Sequence, residues 1–117
     1  MRLEDLAGQV LLTVEGSPEY WLDHYYPAVT PSGKPVFRLS STGSWQELLA
    51  SVGRDAGVAV AALQGVRFYP RPGIVYVPFE DAGPIVYGLT WRAAGATARV
   101  PAFVRAATEN PPRAADL

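Results

Sequence analysis

SWQELLASVGRDAGVAVAA, residues Ser44 to Ala62, holds a helix, a release point and a strand in one run. Its first four residues are a capping box: the Ser44 hydroxyl accepts a first-turn N–H while Glu47 reaches back to the helix start. Trp45, Leu48, Leu49 and Val52 recur at i, i+3, i+4 and i+7, one apolar stripe of a helix. Gly57 then releases the chain into Val58-Ala-Val-Ala-Ala62, short and apolar enough to be a strand covered on both faces. A helix feeding such a strand is the unit of a parallel sheet, so the chain falls in the α/β class.

Working outward, the same grammar appears upstream. Gln9-Val-Leu-Leu-Thr13 reads as a first buried strand and Glu15-Gly16 as a turn. Ser17 is placed to cap a helix whose first position is Pro18. On that helix, Pro18 to Tyr26, the residues Trp21, Leu22, Tyr25 and Tyr26 share a face, Glu19, Asp23 and His24 face water, and Pro27 ends it. Thr30-Pro-Ser-Gly-Lys-Pro35 has the composition of a loop. Val36-Phe-Arg-Leu39 is a second strand, and Ser40-Ser-Thr-Gly43 a hydroxyl-rich loop before the capped helix. Residues 9 to 62 therefore spell β-α-β-α-β, the order of a mostly parallel sheet flanked by helices.

Downstream, residues 63 to 69 form a short irregular or helical piece leading to the Arg71-Pro-Gly73 turn. Ile74-Val-Tyr-Val77 is strand-like and closed by Pro78. Ile85 to Trp91 is a second strand-like run with Ile85, Tyr87, Leu89 and Trp91 on one side. Val100, Phe103, Val104 and Ala107 have helical spacing, Pro101 is tolerated in or near the first turn, and Asn110-Pro-Pro112 stops the helix.

Composition narrows the function. The 117 residues suffice for one core, and 49% hydrophobic with 18% charged residues describes a globular chain. A net charge of −1 with a single lysine, Lys34, and scattered arginines argues against direct nucleic-acid binding. No cysteine means no disulfide, no thiolate chemistry and no cysteine-based zinc site. His24 is the single histidine, without a carboxylate pair at ligand spacing, so neither a metal nor a cofactor is expected. The acidic Met-Arg-Leu-Glu-Asp-Leu start lacks an export signal, and no apolar run is long enough for a membrane span; a cytoplasmic location is expected. There is no Gly-x-Ser-x-Gly elbow and no HExxH pattern. Gly53-Arg-Asp-Ala-Gly57 closes a helix rather than opening one, so it is not a phosphate loop. No catalytic constellation is found.

Ligands of open α/β sheets bind beyond the carboxyl ends of the strands, here Thr13 to Ser17, Ser40 to Ser44 and Ala62 to Gly65. The first two runs enter helix N-termini, which favour anions. The hydroxyls of Ser40, Ser41, Thr42 and Ser44 would serve a small carboxylate; the alternative is that they are ordinary cap and turn residues. Tyr20, Trp21, Tyr25 and Tyr26 are likewise either a stacking platform for a flat ligand or simply core.

Leu3-Glu-Asp-Leu-Ala-Gly8, Gly16-Ser-Pro-Glu-Tyr-Trp21, Trp45 to Val52 and Gly57-Val-Ala-Val60, in this order, resemble the effector-binding domain of LysR-type transcriptional regulators. Arg67 to Asp81 is similar to that family's segment leading to a Pro…Asp turn, Leu89-Thr-Trp-Arg92 to its Leu-Ala-Trp-Arg strand, and Val100 to Ala107 to its closing helix. The similarity runs through nearly all of residues 3 to 108. Asp55 stands where the family usually has Gly, a mild change because Asp tolerates left-handed geometry, and Ala62 stands where it has Pro.

The resemblance implies a periplasmic-binding-protein-like (type II) α/β lobe, residues 1–78, a strand-helix return segment of the first lobe, residues 79–108, and a loose tail, 109–117. It implies a non-enzymatic sensor of a small organic carboxylate, with Thr13, Val14, Glu15, Gly16, Ser41 and Thr42 facing the ligand. The family's winged helix-turn-helix, linker helix and first half of lobe one would lie before Met1. Without them, Ile85 to Trp91 and the last helix would expose apolar side chains, so a homodimer through these elements is expected. The alternative is a lobe of a solute-binding protein for small organic anions, which shares the fold but requires export.

Overall fold

The computed structural model describes residues 1–86, 88–94 and 97–110, with Ser41 and Thr42 described in backbone only. Tyr87 and the tail from residue 111 therefore lie outside the described residues, and with them Pro111 and Pro112, expected to stop the last helix. The chain is mixed α/β and divides into two units, Met1–Gly83 and Pro84–Leu117.

In the first unit a single 3-10 turn, Leu3–Leu6, precedes strand β1, Val10–Val14. Helix α1, Glu19–Tyr25, leads to strand β2, Phe37–Thr42, and helix α2, Trp45–Val52, follows. β1 and β2 pair in parallel from Val10 opposite Phe37 to Val14 opposite Thr42, with a register shift between Thr13 and Val14 that leaves Ser41 as an extra residue in β2. Val58 joins the other edge of β1 through one parallel bridge to Leu11. Its N–H donates to the Val10 carbonyl at 2.9 Å and its carbonyl accepts from Leu12 N–H at 2.8 Å. Residues 58 to 62 were expected to form a full buried strand. They make this single bridge instead and are half-buried, with no further strand paired to them among the described residues.

β1 is the centre of the core because side chains alternate across a strand and both of its faces are covered. Leu11 clusters with Leu6, Tyr26 and Val36, joined by Leu22 and Tyr25 and by Val58, Val60 and Phe79. Leu12 points the opposite way, to the side where α2 packs over both strands and buries Leu48 and Leu49. Gly57 has no tolerance for a side chain: an added Cβ would sit 2.5 Å from the Val10 carbonyl oxygen. The Tyr26 phenol, its pKa raised by burial, donates to the Val60 carbonyl at 3.1 Å and ties the end of α1 to the third segment.

At the start of α2 the Ser44 side-chain cap forms, and Glu47 reaches back to the Ser44 hydroxyl. The Ser44 hydroxyl accepts from Glu47 N–H at 3.3 Å and donates to the Glu47 carboxylate at 2.9 Å. The helix closes with a Schellman motif: Ala56 N–H donates to Ser51 O and Asp55 N–H to Val52 O, with Asp55 left-handed at φ 63°. α1 starts one residue later than expected. Pro18, not Ser17, is its cap, with an extended backbone and no side-chain hydrogen bond. Thr30 to Pro35 is more ordered than a loop. The Thr30 carbonyl accepts from Gly33 N–H, Pro31 takes the second turn position, Gly33 is at φ 83°, and Val29 bridges Pro35.

After helix α3, Gln64–Phe68, the expected strand Ile74–Val77 does not form. Ile74 and Tyr76 are half-buried while Val75 and Val77 are exposed, so the alternation is present but no strand pairs with it among the described residues. The segment then docks on the N-terminus: Met1 N donates to Pro78 O, Glu80 N–H to Met1 O, and Leu3 N–H to Asp81.

In the second unit, Ile85 to Trp91 is also not a strand at any described position. Helix α4, Arg99–Glu109, forms with Pro101 in its first turn, where no intrahelical N–H is needed. None of its residues is buried.

Candidate functional site

The carboxyl ends of β1 and β2 lie side by side because Val14 is registered on Thr42. The strands continue into Glu15-Gly16 and Gly43-Ser44, so both connections leave from one edge of the sheet toward α1 and α2. A tight turn, Ser17 N–H to Val14 O at 3.3 Å with Gly16 at φ 77°, sets the first.

The expected residues take different places here. Thr13 is buried and its hydroxyl donates to the Leu39 carbonyl at 3.5 Å, within the sheet. Val14 is half-buried, and Glu15 and Gly16 are exposed at the rim. Ser41 and Thr42 belong to β2 rather than to a loop, since the strand runs three residues past the expected Leu39; their side chains lie outside the described residues. The two helix starts also differ. At α2 the Glu47 carboxylate already takes the Ser44 hydroxyl, placing a negative charge where an anion would bind. α1 begins at a proline without a side-chain cap.

The aromatic residues of α1 form a cluster: Trp21 lies 5.1 Å from Tyr25 and 5.2 Å from Tyr26, ring centre to ring centre. Tyr26 is core, whereas Tyr20 is 78% exposed and stacks on no ring among the described residues. Asp23 pairs with Arg38 at 2.9 Å, linking α1 to β2.

A cluster not anticipated from the sequence surrounds Glu4. Its carboxylate accepts from the Ser32 hydroxyl at 2.5 Å and Ser32 N–H at 3.2 Å, and pairs with Lys34 at 3.1 Å. Ser32, then Lys34, holds the Glu4 pKa down to about 2. The turn signal in Thr30-Pro-Ser-Gly33 was visible, but its partner lies 28 residues away in sequence. In the second unit, Leu89 to Trp91 and α4 frame a shallow apolar hollow of about 240 Å³ with few polar groups, Thr90 and Arg99 among its lining. Among the described residues, no group of three or more His, Cys, Asp or Glu is placed to hold a metal, and no helix is long and apolar enough to cross a membrane.

Comparison of the chain with protein-family models, with curated proteins and with solved structures gives no match.

Proposed function

We propose that this chain is an effector-sensing lobe of LysR type, a non-enzymatic, cytoplasmic regulatory module with a periplasmic-binding-protein-like (type II) architecture. Its ligand is a small organic carboxylate held at the carboxyl ends of β1 and β2. The reading rests on the ordered family-like motifs, and one structural observation supports it above others. Two parallel strands end side by side, Val14 against Thr42 after a one-residue shift, and each feeds a helix from the same edge of the sheet. Such an edge is where open α/β sheets take ligands.

Within this reading Gly16 offers backbone close to the ligand and Thr42 a hydroxyl donor, while Glu15 opposes an anion and sets a preference for weakly charged or flat acids. The second unit, with Trp91 54% and Phe103 63% exposed, is the surface through which copies of the module associate. A thermal-shift and calorimetric titration with benzoate and succinate tests the site. Saturable binding in the millimolar range or tighter is expected, weakened by Thr42→Val and strengthened by Glu15→Gln. Absence of any saturable shift with either acid rejects the site.

A further inference from the structure

We draw no further inference here: the strongest candidate, the shallow apolar hollow between Leu89–Trp91 and α4 with Arg99 in its lining, lies within the association surface already proposed, and nothing in the structure shows what else would cover it.

Discussion

Residues 1 to 83 and residues 84 to 110 use apolar side chains in opposite ways. In the first stretch Leu11 and Leu48 are 0% exposed, each lying where a strand and a helix cover one another. In the second, α4 has an apolar stripe of the same spacing as that of α2 but buries no residue fully: Val100 and Val104 are half-buried and Phe103 is exposed. Pattern produces the element in both cases. Burial, and with it most of the stabilisation, comes only when a second element is present to receive the stripe.

The strongest way to break this comparison is to truncate one side chain from each region. Leu48→Ala should cost about 2–5 kcal/mol in urea unfolding, the range for a filled core site that cannot collapse. Phe103→Ala should stay within about 0.5 kcal/mol, as for an exposed position. Equal losses would mean that α4 is as well covered as α2.

A smaller effect sharpens it. Asp55→Gly relieves a left-handed residue and removes a negative charge from a helix C-terminus. It should stabilise the chain by about 0.5–1 kcal/mol, with hydrogen exchange slowed around α2 and unchanged in α4.

The smallest effect is electrostatic. Glu4 has its pKa lowered from 4.5 to about 2, so its contribution is complete above pH 4.5 and fades as pH falls toward 2. Exchange of the Ser32 amide, which donates to this carboxylate, should accelerate over that interval. Glu4→Gln should remove the pH dependence and leave exchange in residues 84 to 110 unaltered.

The sequence was most legible where structure is local. The α2 cap, the apolar stripe and the tolerance of Asp55 for left-handed backbone follow from neighbours within a few residues, and the parallel order of β1 and β2 from the helix that separates them. Alternation of apolar residues does not by itself supply a pairing partner. Ile74–Val77 and the described part of 85–91 alternate without a neighbour to bond, and Val58 finds one for a single bridge. β2 ran longer than expected because β1 offers it a partner up to Thr42, which moved Ser41 and Thr42 from a loop onto a strand end. The Glu4 cluster was invisible because its parts meet only after the chain folds back.

That return has a mechanical consequence. Glu80 N–H bonds Met1 O at 2.9 Å, so the polypeptide leaves the first unit beside the point where it enters. Anything fused ahead of Met1 would share a doorway with the strand of chain running out past Gly83.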